Sequence, residues 1–322
     1  MADPGSFQQV PLNLVDLEDQ TFVVSGGDLT KLLASIQEVG LLNPPWLRAR
    51  PDDHWQVVAG LKRLRVAAQL GWQTIWARTL PAVTPDSHCL LVALHDNAFS
   101  RGFHLWEQAV LSRRLLVHWN PATVAAQFLP YLGLPPSAAH LDRLLKVSTL
   151  EPPFQELCAR GRLALSAAAF LAQWPAADRI AAWPYLNSLP FSQSKQEQFL
   201  EDVDLLARRE GLTPQDILSR EGLRQYLAEP AMNPTEQAEA VRRLLRGWVT
   251  PRLNAALATF SAGLGRLGLK GHPRIRLQPP PAFEGPDFRL EIKFQNAQEL
   301  ADLVEKIARL TAQEDFGNLT RR

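Results

Sequence analysis

The sequence predicts an α+β chain of several domains, and three patterns along it support that prediction. Strand-like and helix-like stretches alternate up to residue 118, which is typical of a small mixed α/β unit. Helical periodicity alone fills the middle of the chain. Near the C-terminus a strictly alternating run, residues 288–294, precedes an amphipathic helix at 297–310. We therefore expect four segments, residues 1–118, 119–190, 191–265 and 266–322.

Length and composition agree with a multidomain globular protein. The chain has 322 residues, more than one usual domain, and 46% of them are hydrophobic against 21% charged. This composition excludes the disordered class. The formal net charge is only +1, so any basic surface that binds nucleic acid must be local. Cys89 and Cys158 lie far apart without metal-ligand spacing, and we expect neither a disulfide framework nor a zinc site.

The first segment is organised around a junction between a strand and a helix. Residues 57–59 form an apolar run typical of a buried strand, and Gly60 separates them from a helical pattern. The first N–H groups of such a helix lack partners, and Lys62, Arg63 and Arg65 place cations within its first turn and a half. Because cations are disfavoured at a helix N-terminus unless an anion is near, the pattern predicts a phosphate site. A solvated basic turn is the alternative.

The remaining elements of this segment follow from the same periodicities. In the last of its helices the apolar residues are expected to face the core, with Arg113 and Arg114 outside. The predicted strands are 10–15, 46–48, 56–59 and 74–78, and the predicted helices are 29–39, 87–96 and 107–118.

The middle of the chain is predicted to be all-helical and to contain a helix-turn-helix. Asn120 caps a first helix, and after a Gly-containing turn Ser137 opens a second helix that ends at residue 147. The second helix of such a pair can enter the DNA major groove, although two packed helices without DNA give the same pattern. Its exposed polar residues predict DNA contacts, and Arg143 ranks first because an arginine that reads guanine gives about 1–3 kcal/mol of base discrimination. The candidates are Ser137, His140, Arg143 and Lys146.

The C-terminal segment is predicted to be a small strand–strand–helix unit. A short strand at 274–277 precedes the strand at 288–294 and the helix at 297–310. Two strands and one helix bury little core alone, so we expect this unit to dimerise. Packing onto the preceding helices is the alternative. The helix residues expected inside are Leu300, Leu303, Val304, Ile307 and Leu310.

Three blocks of residues, 40–48, 60–67 and 96–109, resemble the N-terminal domain of the ParB/RepB-like family of chromosome and plasmid partition proteins. They stand in that family's order and spacing, and the helix-turn-helix pattern follows the third block as it does there. The resemblance implies a ParB-type N-terminal domain, a DNA-binding middle and a C-terminal dimerisation unit. The matching residues are Gly60, Arg63, Arg65, Ala67, Asn97, Glu107 and Ala109.

Four positions depart from the family pattern. Leu61 stands where the family has an acid, Lys62 where it has an arginine, and Asp96 where it has a glutamate. Arg101 lies one residue later than the family's arginine. The first helix and the turn of the helix-turn-helix are also longer than the family's, so DNA specificity does not carry over.

The resemblance implies CTP and Mg²⁺ as cofactors, because the family's N-terminal domain binds both. Nucleotide closes two such domains into a clamp on a palindromic site in double-stranded DNA, and slow CTP hydrolysis would make Asp96 a catalytic residue. A homodimer, a cytoplasmic and nucleoid-associated location without a membrane segment, and a ParA-type ATPase partner are also implied, although the sequence shows no basic N-terminal arm to stimulate an ATPase. Carried over by position, the nucleotide-binding residues are Asn43, Gly60, Lys62, Arg63, Arg65, Asn97 and Arg101, with Asp96 and Asn97 facing the metal.

Two other functions stay open beside the partition clamp. A transcriptional regulator or nucleoid-associated protein with a degenerate nucleotide site is favoured by Leu61, Lys62 and the displaced Arg101. A nuclease on the same fold is disfavoured, since no cluster of acids suited to two metals stands near Gly60.

Overall fold

The computed structural model describes residues 6–24, 28–98 and 101–320. The chain divides into two compact units, residues 1–201 and 202–322. Phe99 and Ser100, which belong to the third sequence block, lie outside the described residues. Across the described ranges, every helix is too short or too polar to cross a bilayer.

A five-stranded mixed sheet opens the first unit. Its strands are β1 (Ser6–Pro11), β2 (Val15–Asp16), β3 (Trp46–Ala49), β4 (Trp55–Ala59) and β5 (Thr74–Leu80). Their order in the sheet is β1-β5-β3-β4-β2. β1 pairs antiparallel with β5, β3 antiparallel with β4, and the β3–β5 and β2–β4 pairs are parallel. The predicted strand 10–15 is divided between β1 and β2 by a 3-10 turn, Leu12–Leu14, that follows Pro11.

Helices cover both faces of this sheet. Val57 and Val58 point to opposite faces of β4, and both are fully buried, which explains the continuous apolar run in the sequence. α2 (Leu61–Gln69), the helix after Gly60, contributes Leu61 and Leu64 to the core on the Val57 side. α3 (Asp86–Ala98) contacts β3 and β4. The third helix of this part of the chain is α1 (Thr30–Val39).

The rest of the first unit is helical, and the element predicted as the first helix of the helix-turn-helix is irregular. It consists of a three-residue turn, α5 (Pro121–Thr123), a π turn, Val124–Phe128, and a 3-10 turn, Leu129–Leu132. Pro130 lacks an N–H and its ring clashes with the carbonyl four residues earlier, which disfavours a regular α-helix at this point. The other helices are α4 (Leu105–Leu115), α6 (Ala138–Val147), α7 (Pro152–Ala159), α8 (Leu165–Leu171), α9 (Ala176–Ser188) and α10 (Gln193–Glu210), the last of which crosses into the second unit.

The second unit contains the predicted strand–strand–helix tail. β6 (Ile275–Gln278) and β7 (Arg289–Ile292) pair antiparallel, and α15 (Ala297–Thr311) follows them. Leu303 and Leu310 are buried as expected, but the prediction for Val304 is wrong, because its side chain is 50% exposed. Besides the two strands, Leu264 from the helix before β6 and Phe316 from the helix after α15 pack against the core that contains Leu303 and Leu310. The other helices of this unit are α11 (Pro214–Leu218), α12 (Glu221–Ala228), α13 (Pro234–Val249), α14 (Pro251–Arg266) and α16 (Glu314–Thr320).

Candidate functional site

A cleft of about 510 Å³ lies beside the β4–α2 turn. The loop before α1, the segment before β3, the start of α2 and the end of α3 all contribute to its lining. Arg65, which was predicted to bind nucleotide, is not among the lining residues and donates instead to the Leu17 carbonyl at 3.0 Å. The predicted residues that do line the cleft are Asn43, Gly60, Lys62, Arg63, Asp96, Asn97 and Arg101.

Gly60 shapes the turn at the bottom of the cleft. Its φ is +92°, in the left-handed region that residues with a Cβ rarely adopt. A Cβ at this position would also stand 2.9 Å from guanidinium atoms of Arg63. Gly60 is the N-cap of α2, whose first turn contains no acidic residue and receives no side-chain cap. The N-terminus of α2 therefore keeps its partial positive charge available to an anion.

Arg63 is fixed across the cleft by three acceptors. Its Nη2 donates to Asp96 Oδ2 at 2.7 Å, and its Nη1 donates to the carbonyls of Asn43 at 2.9 Å and Pro44 at 3.1 Å. The side chains of Arg63 and Asp96 are only 17% and 23% exposed. The Arg63 charge is thus neutralised by Asp96, and an incoming phosphate competes with that carboxylate.

Arg101 is paired in the same manner with the first turn of α4. Its Nη1 and Nη2 donate to the two Glu107 carboxylate oxygens at 2.7 and 2.8 Å, and Glu107 is only 2% exposed. The Glu107 carboxylate also accepts from the backbone N–H of His104, which closes a capping box at the start of α4. Burial lowers the pKa of His104; Glu107 opposes this effect, and Arg101 and Lys62 add to it. Within the described ranges, Lys62 has no ion pair.

The sequence did not predict which residues form one side of the cleft. Residues 20–24, here called the cleft wall, contribute Phe22, Val23 and Val24 to the lining. Phe22 is 3% exposed and lies under the Arg48 guanidinium at 5.3 Å. The prediction that Arg114 lies outside is wrong, because its side chain is half-buried and donates to the carbonyls of Gln20 and Val23 in the cleft wall. Only a loop of mixed polarity marks this segment in the sequence, so its position depends on tertiary contacts.

Asp96 and Asn97, the predicted metal ligands, stand side by side at the end of α3. Asp96 accepts from Arg63, and Asn97 donates its Nδ2 to the Ala93 carbonyl at 2.8 Å while its Oδ1 accepts from Arg101 Nε at 3.3 Å. In the part of the chain that the structure describes, no group of three or more His, Cys, Asp or Glu side chains could hold a metal. A cation here would need oxygens from a bound ligand as well.

The predicted DNA-facing residues, on α6 and at its N-cap Ser137, divide into two pairs. Arg143 and Lys146 are exposed and line a groove of about 440 Å³, opposite Glu197 and Glu201 of α10. Lys146 pairs with Asp142 at 2.8 Å, whereas Arg143 has no ion pair among the described residues. The other two candidates, Ser137 and His140, are half-buried and lie outside that groove.

Comparison with known proteins identifies the N-terminal domain. Residues 6–98 match the family model described as the ParB N-terminal domain. The chain is 28% identical over 162 residues to the uncharacterized protein YubM of Escherichia coli O157:H7, covering 49% of this chain and 23% of YubM. It is 30% identical over 91 residues to the nucleoid occlusion protein of Bacillus thuringiensis strain Al Hakam, covering 27% of this chain and 30% of that protein. Each match therefore spans less than a third of the curated relative.

Among solved structures, the chain resembles the C-terminally truncated chromosome-partitioning protein ParB from Caulobacter crescentus complexed with CTP-γ-S. The identity is 22%, the match covers 57% of this chain and 99% of that chain, and the TM-score is 0.25. So low a TM-score adds nothing to the sequence match. Residues 6–98 are therefore similar to the N-terminal domain of ParB-like partition proteins.

Proposed function

We propose that the cleft beside Gly60 binds CTP, and that the chain is a DNA-binding protein of the partition class that uses this nucleotide as a switch. One observation carries the proposal. Residues from three separate sequence blocks line a single cleft at the uncapped N-terminus of α2. The choice of CTP among the nucleoside triphosphates comes from the ParB-like sequence blocks.

The chemistry of the cleft fits a triphosphate. Its volume of about 510 Å³ lies within the usual range for small-molecule sites, about 300–1,000 Å³. The N–H groups at the start of α2 and the Lys62 ammonium would bind phosphate oxygens, and Arg63 would exchange the Asp96 carboxylate for a phosphate. Arg63 keeps its bonds to the Asn43 and Pro44 carbonyls in this exchange, so its position is set before the ligand arrives.

Magnesium fits as an ion carried by the nucleotide. Asp96 and Asn97 would hold it with one carboxylate and one amide oxygen, and phosphates and waters would complete the shell that Mg²⁺ prefers. Bound there, the ion would neutralise phosphate charge. Asp96 is one methylene shorter than the family's glutamate, so we propose slow CTP hydrolysis at most.

DNA binding and dimerisation are assigned to α6 and to the C-terminal unit. The exposed Arg143 and Lys146 support a DNA-facing α6. Leu290, Phe294 and Val304 are 40%, 51% and 50% exposed in the second unit, which supports a homodimer that covers them. Under this proposal the protein is nucleoid-associated, and a ParA-type ATPase stays a prediction from the family.

The dimer has its own test in sedimentation of the full chain. Val304→Glu places a charge on the apolar face and should shift the protein toward monomer. Gln298→Glu adds the same charge at another exposed position of α15 and should leave the dimer intact. A parent protein that sediments as a monomer would remove dimerisation from the proposal.

A regulator without a nucleotide switch is the second candidate. The observation that favours it is that Arg63 and Arg101 are already neutralised, by Asp96 and Glu107. If these ion pairs never open, the cleft binds no nucleotide, and the protein acts only through DNA binding by α6. A nuclease is the weakest candidate, because the described residues hold no acid cluster for metals.

Calorimetric titration of the purified protein with the four ribonucleoside triphosphates and magnesium separates these functions. CTP-selective binding that is lost in Arg63→Ala and retained in Arg65→Ala is the expected result. Arg65→Ala is the matched control, because Arg65 lies on the same helix but outside the cleft. If the parent protein binds none of the four triphosphates, a regulator without a nucleotide switch is the function that remains.

A further inference from the structure

Helix α4 is attached to the cleft near both of its ends. At its first turn, Glu107 holds Arg101, which lines the cleft, through bonds of 2.7 and 2.8 Å. In its last turn, Arg114 donates to the carbonyls of Val23 at 2.6 Å and Gln20 at 2.9 Å, both in the cleft wall. The 11 residues of α4 extend over about 16 Å at 1.5 Å per residue. A shift of α4 therefore acts on two sides of the cleft.

Arg114 is held in a fixed place, unlike its neighbour. Its guanidinium is half-buried, and burial lowers its pKa while the Asp19 carboxylate opposes that effect. Arg113, the preceding residue, is exposed. A charged side chain that is withdrawn from water and donates to two carbonyls has a defined geometry, because leaving it there without those acceptors is costly.

The cleft wall is anchored to two different elements. At its start, the Asp19 carboxylate accepts from the Thr21 backbone N–H at 2.7 Å and from Gln56 Nε2 of β4 at 2.7 Å. Further along, at Val23, the wall is bound to α4 through Arg114. Because α4 packs against α6 and α7, the wall lies between the sheet and the helices that include the DNA-facing α6.

We propose that Arg114 is a positioning residue that links the cleft to α6, by setting the cleft wall to the position of α4. Occupancy of the cleft and the state of α6 then bias each other, and linkage requires that this influence be equal in both directions. The inference rests on the proposed function, since it assigns a triphosphate to the cleft and DNA to α6. Arg114 itself contacts neither ligand.

The experiment uses the full chain with methyl-labelled valine and leucine, observed by NMR. Val23 and Val24 report the cleft wall, and the buried Leu141 and Leu144 report α6. Arg114→Met removes the link, and Arg113→Met removes the same charge at the adjacent exposed position. Arg114→Lys retains a cation that can donate to these carbonyls, so it should give intermediate results and serves if Arg114→Met fails to fold.

Without nucleotide, Arg114→Met should shift and broaden the Val23 and Val24 signals, and Arg113→Met should leave them as in the parent. On titration with CTP and magnesium, wall and α6 signals should both move in the parent and in Arg113→Met. In Arg114→Met the wall signals should still respond, but the α6 signals should move clearly less than in the parent, because only the Arg101–Glu107 attachment of α4 remains. The CTP affinity should fall about tenfold, a usual size for coupling between sites.

The link is overturned if Arg114→Met keeps the parent's wall signals without nucleotide, or if it transmits the CTP response to Leu141 and Leu144 as the parent does. A parent whose wall responds to CTP while α6 does not would also overturn it. If the parent protein responds to none of the four ribonucleoside triphosphates, the proposed function is wrong instead. In that case the nucleotide-free signals alone decide whether Arg114 positions the wall.

Discussion

The arginine side chains of the cleft and of α6 differ in their ion pairs. In the cleft, Arg63 and Arg101 are each paired with a carboxylate that is mostly withdrawn from water. On α6, Arg143 is exposed and has no ion pair among the described residues. The first arrangement is already ordered by its ion pairs, and we propose that it binds a ligand by exchanging partners. The second is open and is expected to bind by attraction to phosphate and by contacts with base edges.

The largest effect is expected at Gly60, where the cleft depends on one backbone conformation. Gly60→Ala forces a Cβ into the left-handed region and against Arg63. We expect CTP affinity to fall by about tenfold to a hundredfold, because a displaced Arg63 loses a charge-assisted bond to phosphate worth about 1.5–3 kcal/mol. Titration calorimetry measures the loss.

Gly71→Ala is the matched control for this change. Gly71 also has a left-handed φ, +76°, but a Cβ there meets nothing within 4 Å. Both variants should lose about 1–2 kcal/mol in the free energy of unfolding, and only Gly60→Ala should lose CTP. If the two bind CTP equally well, the turn at Gly60 does not form the nucleotide site.

Asp96→Asn tests whether the cleft binds by exchange. It removes the charge that competes with phosphate for Arg63 and keeps the side-chain shape. Without magnesium, CTP should bind about fivefold more tightly, the upper size for a partly exposed ion pair. With magnesium the gain should shrink or reverse, because Asp96 is also a proposed ligand of the ion. Weaker CTP binding without magnesium would contradict the exchange.

On α6 the expected effects are smaller and differ between two neighbours. Arg143→Ala should relax base preference at one position of the DNA site by about 1–3 kcal/mol. Lys146→Ala should weaken all sequences alike and lower the salt slope by about 1. Competition binding with a selected duplex and its single-base variants, at several salt concentrations, measures both. Equal effects of the two variants on every sequence would show that α6 does not read bases.

The smallest effect concerns acid stability at the start of α4. The pKa of His104 is lowered from its ordinary 6.5, so the folded protein favours the neutral ring. That contribution to stability is complete above pH 6.5 and is lost as the pH falls through the folded-state pKa. His104→Asn keeps a capping side chain and should flatten this part of the stability curve. Chemical denaturation between pH 7 and pH 5 checks it; an unchanged slope would contradict the assignment.

Local patterns predict much of this molecule, and tertiary contacts determine the rest. The junction at Gly60 and the alternating tail are visible in periodicity, because each depends on residues close in sequence. The positions of Arg65 and Arg114 are not: each donates to a carbonyl more than 40 residues away, which no spacing rule contains. The segment at 121–132 begins as an ordinary helix, but Pro130 disfavours a regular α-helix, and the segment ends in a 3-10 turn.

A crystal structure of the full chain with CTP and magnesium would reveal whether Arg63 exchanges Asp96 for a phosphate. We expect triphosphate density at the N-terminus of α2, with the Arg63 guanidinium released from Asp96 and bound to a phosphate while it keeps its bonds to the Asn43 and Pro44 carbonyls. An Arg63–Asp96 pair that stays at its present 2.7 Å, with the nucleotide elsewhere or absent at saturating concentration, would contradict it.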